Sequence, residues 1–374
     1  MQSQSTNLAS YAVQNSAGRV YEEPGDEHRN PFQRDRDRIV HSRAFRRLQA
    51  KTQVFVAYFG DHYRDRMTHS LEVSLVARDI SRRLKLNEDL AEAIALAHDL
   101  GHTPFGHAGE EALNKMMEKY NSFYEHNQQS RRIVAKLEKS YPNFDGLNLT
   151  KEILDGLLKH NPKPEEKLLD FAASPHLEAQ ITDKSDEIAY TNHDLDDGLR
   201  SGLITVEQLE KLELWREAAD VIDNRFKRDT YINKPEGPQR RTSRIISVLI
   251  SQMISNLYNQ TLQNIEEKNV KTVDDIRKQS VKLAHFSDDF LPKIKEIRSF
   301  LMTNFYNHPQ VNEKVQKGQR IIQALFSHYM DKPEHLPQNH RDQINIGEPL
   351  HIVVKDYIAG MTDHFAEEQF NRLT

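Results

Sequence analysis

Residues 66–100 read RMTHSLEVSLVARDISRRLKLNEDLAEAIALAHDL. Within it His69, Val73, Val76, Ala77, Ile80 and Leu84 recur at the 3.6-residue period and fall on one stripe, which predicts an amphipathic helix from Arg66 to Leu84. Asn87 has the short polar side chain of an N-cap, and Glu88 and Asp89 put negative charge into the first turn of a second helix. That helix is expected to run to Leu100, where Gly101 ends it, and HTPFGHAGEE then forms a loop into a third helix.

Outward from this pair the helical period persists. It recurs at 109–120, 126–140, 150–159 and 176–194, with a turn-rich break at NPKPE (161–165). Beyond about residue 205 nearly every segment is amphipathic helix, interrupted at NKPEGP (233–238) and at HLPQNHRDQINIGEP (335–349). Upstream, residues 35–57 predict a helix followed by a short extended segment, and residues 1–30 an arm with little structure of its own. Alternating β patterns are confined to short candidates at 52–58 and 229–232. The expected class is all-α, a helical bundle with at most a few short strands. The expected division is an arm at 1–34, a core at 35–205, and a further helical region at 206–374.

Composition narrows the chemistry. The 374-residue chain has 51 Lys+Arg against 56 Asp+Glu, so its net charge of −5 argues against a protein that coats nucleic acid. No run approaches the apolar length of a membrane span, and the polar stretch from Met1 to Glu22 lacks the apolar core of a secretory signal. Zero cysteines exclude disulfides, thiolate-held zinc, iron–sulfur clusters and a thiol nucleophile, and fit a reducing, cytoplasmic setting. With 18 histidines present, any metal must be held by His, Asp and Glu, a nitrogen and oxygen set that suits Mg, Mn, Fe or Zn.

The placement of polar groups is more telling than their number. His69 opens an apolar stripe. His98 follows Ile94 by four residues and Leu90 by eight, with Asp99 adjoining it. In EAQITDKSDEIAY, Ala179, Thr182, Asp186 and Tyr190 share a face, with Asp183 a rival to Asp186. A lone inward histidine is more often a hydrogen-bonded core residue, and a helical carboxylate is usually solvated. Three helices that each aim such a group inward form the pattern of a metal site in a helical bundle, because a buried imidazole or carboxylate is costly unless paired or ligating. The loop HDLGHTPFGHAGE adds His102, His107 and Glu110, with Gly101, Gly106 and Gly109 to let the backbone approach a ligand.

RMTHSLEV, AHDLGHTPFGH and LEAQITDKSDEIAYTNHDLDDGL together resemble the signature of the HD-domain superfamily, and more narrowly that of the deoxynucleoside-triphosphate triphosphohydrolases, the bacterial dGTPase-like proteins. FRRLQAKTQVF upstream and DYIAGMTDHFA near the C-terminus also resemble that family's pattern. The resemblance implies an HD-domain helical bundle and one divalent metal per site, held by His69, His98, Asp99 and Asp186: Mg or Mn first, with Fe, Co or Ni as further candidates. It implies that Gln53 contacts the deoxyribose 3′-hydroxyl, that Arg66 binds phosphate, that Tyr190 lies on the base side and that Asp194 contacts the sugar. His107 and Glu110 match a histidine–acid pair beside the reacting phosphate, and His126 a further histidine facing the phosphates.

The implied reaction is hydrolysis of a dNTP to the deoxynucleoside and tripolyphosphate, by attack of metal-activated water at the α-phosphorus. The departing 5′-oxygen needs a proton, and His107, oriented by Glu110, is placed for general-acid or in-line proton-transfer work. A substrate carrying roughly four negative charges needs both the cation and the Arg and His donors. The resemblance further implies a homo-oligomer, hexameric in relatives, and an allosteric nucleotide or single-stranded DNA as additional partners, for which QRRTSR (239–244) and the basic run from Arg34 to Lys51 are candidate surfaces. Two alternatives stand beside it: a different HD phosphohydrolase acting on nucleoside monophosphates, alarmones or cyclic dinucleotides, or a non-catalytic nucleotide- or ssDNA-binding regulator. The Gln53, Tyr190 and Asp194 set and the intact metal positions weigh against them.

Overall fold

The computed structural model describes residues 8–53, 64–158, 174–228 and 232–373. In chain order the helices are α1 Pro31–Val40, α2 Arg43–Arg47, α3 Arg66–Arg83, α4 Glu88–Ala97, α5 Gly106–Glu118, α6 His126–Arg132, α7 Lys151–Gly156, α8 Leu177–Arg200, α9 Val206–Leu209 and α10 Glu213–Phe226. They continue with α11 Gly237–Glu267, α12 Val273–Arg277, α13 Leu291–Leu301, α14 Pro309–Asp331, α15 Gln338–Asn345, α16 Leu350–Ala359 and α17 Asp363–Leu373. Among the described residues no strand forms, and β pairing is limited to isolated bridges such as Thr52 with Asp65. The mainly α class is therefore borne out. The strand candidates at 52–58 and 229–232 and the break at 161–165 lie largely outside the described residues.

Two compact units share the chain. One comprises residues 1–15, 72–95 and 169–308, the other residues 16–71, 96–168 and 309–374. In the first, Val73 and Ala77 of α3, Ala91 and Ala95 of α4, and Ala189 of α8 make a small buried cluster. Small side chains there let three helix backbones approach closely. α11 packs on α8 and α10, and α10 buries Trp215 completely. Many polar side chains of α8 are buried too, and several find a partner one turn back: Thr182, Ser185, Thr191 and Asn192 each donate to the carbonyl four residues earlier.

In the second unit α14 lies along α5, with α16 and α17 closing the same core. Leu113, Met117, Ile322, Phe326, Val353 and Ile358 are buried there, each contributing on the order of 1.5–3 kcal/mol of hydrophobic stabilisation. Residues 335–349, expected as an interruption, contain the short helix α15. The basic run upstream is an ion-pair network: Arg34 and Arg38 meet Glu23, Arg29 and Arg36 meet Asp37, and Arg38 also donates to the Leu147 carbonyl. Residues 8–30 carry no helix. No helix among the described residues is long and apolar enough to cross a membrane.

Candidate metal centre and the adjoining histidine–acid cluster

The site is assembled from short-range signals. Asp65 accepts from the Thr68 amide at 2.7 Å and so starts α3, which places Arg66 and His69 in its first turn. Ile80 and Leu84 of the predicted stripe are buried, while Val76 sits at its edge and Leu71 and Leu75 face outward. Asn87 caps α4 by accepting from the Leu90 amide at 3.2 Å, as its sequence position predicts.

α4 ends at Ala97, three residues before the expected Leu100. His98 and Asp99 thus lie on the turn that follows rather than on the helix face. The cause is Gly101. A Cβ built there would stand 2.1 Å from the His126 carbonyl oxygen and 2.3 Å from the Ser130 nitrogen. The turn packs backbone to backbone against α6, and the Gly101 amide donates to Ser130 Oγ at 2.8 Å instead of continuing the helix. Ser130 Oγ in turn donates to the His98 carbonyl at 2.7 Å, which fixes the turn's pitch.

Burial and proximity single out His69, His98 and Asp99. They are 1%, 1% and 3% exposed, and their ligand atoms lie within 4.8 Å of one another. His98 Nε2 stands 3.1 Å from Asp99 Oδ1, and His69 Nε2 3.9 Å from Oδ2. Burial works against ionisation of Asp99, but His98, His102 and Arg66 overcome it and hold the carboxylate well below its usual range. Arg66 Nη1 meets Asp99 Oδ2 at 2.8 Å. The remaining Nε and Nη2 of this buried guanidinium have no hydrogen-bond acceptor among the described residues. Two imidazoles and an ionised carboxylate, buried within one ligand sphere, fit a divalent cation with nitrogen and oxygen preference.

A second group adjoins the first. His102, which the sequence left without a role, is buried between two acids: its Nε2 is 3.3 Å from Asp99 Oδ1 and its Nδ1 3.8 Å from Glu110 Oε2. Its ring stacks on His126 with centroids 4.0 Å apart. Burial, with Arg66 and His126 adding positive charge nearby, holds His102 well below the ordinary imidazole range and keeps it neutral. Glu110 faces two histidines unequally. His126 Nδ1 is 2.9 Å from Oε1, whose other donor is the His126 amide at 2.9 Å. His107 Nδ1 is 3.5 Å from Oε2, and its side chain is 82% exposed. Against the cost of burial, His107 and His126 keep Glu110 strongly ionised.

The unit that holds these residues also contains Gln53, whose buried Oε1 has no donor among the described residues. The structure therefore brings together Gln53, Arg66, His69, His98, Asp99, His107, Glu110 and His126. Asp186, Tyr190 and Asp194 lie on α8 in the other unit, at four-residue spacing on one side of the helix. There Asp183, the rival carboxylate, is paired with Lys282 at 3.0 Å. Burial, opposed by Arg298, pushes the Tyr190 hydroxyl up to about 12. Tyr306 Oη donates to Asp194, a partner that the sequence did not suggest.

The HD domain matches residues 66–191, and the phosphohydrolase-associated domain matches residues 284–372. The deoxyguanosinetriphosphate triphosphohydrolase-like proteins of Geobacter metallireducens and Geobacter sulfurreducens are 45% and 46% identical to this chain, over 98% of it and 95% of their own length. The chain belongs to this HD-domain family. That of Leptospira interrogans is 43% identical over 100% of this chain and 98% of its own. As an HD phosphohydrolase, the protein carries its family's domain across α3 to α8 and the associated domain across α13 to α17, of which α14 and α16 pack on α5.

Proposed function

We propose that this phosphohydrolase cleaves deoxynucleoside triphosphates into the deoxynucleoside and tripolyphosphate, by attack of water at the α-phosphorus. The observation that carries the reading is the buried His69, His98 and Asp99 set beside an Arg66 guanidinium with two unengaged nitrogens. His69, His98 and Asp99 would hold a divalent cation, with Mg or Mn preferred and Fe, Co or Ni as further candidates. Asp186 is carried over from the family resemblance as the fourth ligand. Bound there, a divalent cation supplies Lewis-acid polarisation of the phosphoryl group and acidifies water.

The chain's own residues supply the rest. Arg66 keeps one guanidinium nitrogen on Asp99 and offers Nε and Nη2 to phosphoryl oxygens, a charge-assisted contact where negative charge develops. His126 has Nδ1 turned to Glu110, which leaves Nε2 for the substrate, and His107 shares the same carboxylate at longer range. We assign delivery of a proton to the departing 5′-oxygen to this Glu110-held histidine pair. On the strength of the resemblance, Gln53 reads the sugar 3′-hydroxyl, Asp194 contacts the sugar and Tyr190 lies on the base side.

The test is direct. Purified protein with Mn²⁺ or Mg²⁺ is offered each dNTP and NTP, and products are separated by anion-exchange chromatography. Tripolyphosphate with free deoxynucleoside is expected. Orthophosphate, pyrophosphate or unchanged substrate refutes the reading.

A further inference from the structure

Three separate stretches of chain meet beside the phosphate-side cluster: residues 51–53, the turn 102–106, and residues 359–363. Asp363, the first residue of α17, is only 8% exposed. Its Oδ2 accepts from the Thr52 amide at 3.0 Å and from the Thr52 hydroxyl, and its Oδ1 accepts from the Phe105 amide at 3.0 Å. One residue earlier in the chain, the buried Lys51 ammonium donates to the carbonyls of His102 and Ala359. Consecutive side chains of the 51–53 segment are thus tied to the same turn, Lys51 directly and Thr52 through Asp363, and Lys51 also holds the C-terminal stretch at Ala359.

Such an arrangement is more than packing requires. Phe105 has a left-handed backbone, φ 62°, and Gly106 follows at φ 58°. For a phenylalanine that conformation costs on the order of 1–2 kcal/mol, and it persists where the surroundings over-determine it. The Asp363 carboxylate on the Phe105 amide is one such determinant. The other is the Phe105 ring wedged at Gly318 of α14, where an added Cβ would lie 2.8 Å from Phe105 Cβ. The consequence is local and geometric: the turn ends at Gly106, α5 begins, and His107 and Glu110 project from its first turns. On the other side, the Gln53 backbone oxygen stands against Gly106, 3.3 Å from where a Cβ would be.

We infer that Asp363 is a positioning residue that sets the separation between the sugar-reading Gln53 segment and the phosphate-side turn bearing His102, His107 and Glu110. It touches neither reacting atoms nor the ligand set, and it acts through Thr52 and Phe105. The assignment of Gln53 to the 3′-hydroxyl rests on the function proposed above; the clamp itself does not. On this basis the phosphohydrolase-associated domain takes part in substrate discrimination, because its residue 363 holds in register two loops that lie outside it.

The isosteric variant Asp363→Asn tests this, since its amide would present N–H groups to Thr52 or Phe105, which are donors themselves. Thr52→Val is the milder companion and keeps the fold should the first variant unfold, because it removes one hydroxyl and leaves both backbone bonds to Asp363. Peptide-level hydrogen exchange on the substrate-free protein reads the clamp: peptides covering Thr52 and Phe105 should exchange faster in Asp363→Asn, with α14 and the body of α3 unchanged. Steady-state kinetics read its consequence, as kcat/KM for a dNTP against its 2′,3′-dideoxy counterpart. Wild type should favour the 3′-hydroxyl at least about tenfold, the value of one hydrogen bond to a buried polar partner. Asp363→Asn should bring the ratio to within about twofold of unity, with Thr52→Val between the two and metal content unchanged in both. Unchanged exchange at Thr52 and Phe105 overturns the clamp. Faster exchange with the wild-type ratio preserved, or both substrates lost in equal proportion, overturns the positioning role. A wild type inert toward every dNTP refutes the proposed function, and the exchange result still decides the clamp.

Discussion

Gly101→Ala would separate the metal-site turn from α6, and its cost follows from the distances. The new Cβ would stand 2.1 Å from the His126 oxygen, 2.3 Å from the Ser130 nitrogen and 2.8 Å from the Gln129 carbonyl carbon, whereas ordinary van der Waals contact begins at 3.4 Å. All three neighbours are backbone atoms of α6, so no side chain can rotate away. One of the two backbones must shift by roughly 1 Å or more, which exceeds what a core accepts at the usual overpacking cost of about 1–3 kcal/mol. We therefore expect destabilisation of about 3 kcal/mol or more, a Tm fall of roughly 6–12 °C for a cooperative unit of about 150–250 residues. Because His98 and Asp99 stand three and two residues away on the same turn, metal content after dialysis against excess Mn²⁺ should fall too. Gly25→Ala is the control, since nothing lies within 4 Å of its Cβ position and its φ is ordinary; it should melt within about 1 °C of wild type. Differential scanning calorimetry and metal analysis on the three proteins decide the matter. A Gly101→Ala variant that melts like Gly25→Ala and retains its metal would refute the backbone-packing argument.

Arg66→Ala should be destabilised by about 3–5 kcal/mol in chelator, because Asp99 is left buried without its guanidinium, and Mn²⁺ should restore a large part of that loss; equal unfolding curves with and without Mn²⁺ would count against a cation at Asp99. Glu110→Gln and His126→Ala should each lower kcat by about 10²–10⁴-fold while metal content holds, with His107→Ala milder, since His107 is the more exposed and the more weakly held; a larger loss in His107→Ala would reverse that order. Glu178 accepts from the Val13 and Asn87 amides and meets His176; against the cost of burial, His176 and the Val13 amide lower its pKa. A depressed carboxylate stabilises the fold above its ordinary value of 4.5 and loses that contribution as pH falls through the lowered value. Urea titrations should show wild type more stable than Glu178→Gln by about 1.5–3 kcal/mol at pH 7, with the gap narrowing as the pH falls below 4.5; a gap that widens on acidification would contradict the sign.

The helices were legible because their signals are local. The stripe running from His69 to Leu84, the Asn87 cap and the acids at 88 and 89 each act within one or two turns, so a linear reading finds them. The apolar face of α3 also put His69 inward, and the HD dipeptide with its loop marked the neighbourhood of the centre. Where the reading slipped, the deciding atom lay far along the chain. α4 stops at Ala97 because Gly101 is pressed on α6, some thirty residues later. His107, three residues from Glu110, looked the natural partner of that acid; His126, sixteen residues away, holds it more closely, because α6 starts beside it. Lys51 and Asp363 gave no linear sign of a shared task, being over three hundred residues apart.

By itself, then, the sequence determined the helical class, the start of α3, the cap of α4, and the kind of ligand any metal must have, since periodicity, short polar caps and the lack of cysteine need no knowledge of distant atoms. Tertiary structure alone decided which acid each histidine faces, that His102 is buried and neutral between Asp99 and Glu110, and that a carboxylate from the last helix ties Thr52 to Phe105. Those outcomes depend on desolvation and on hydrogen-bond distances of about 3 Å, and both exist only once segments remote in the chain have packed.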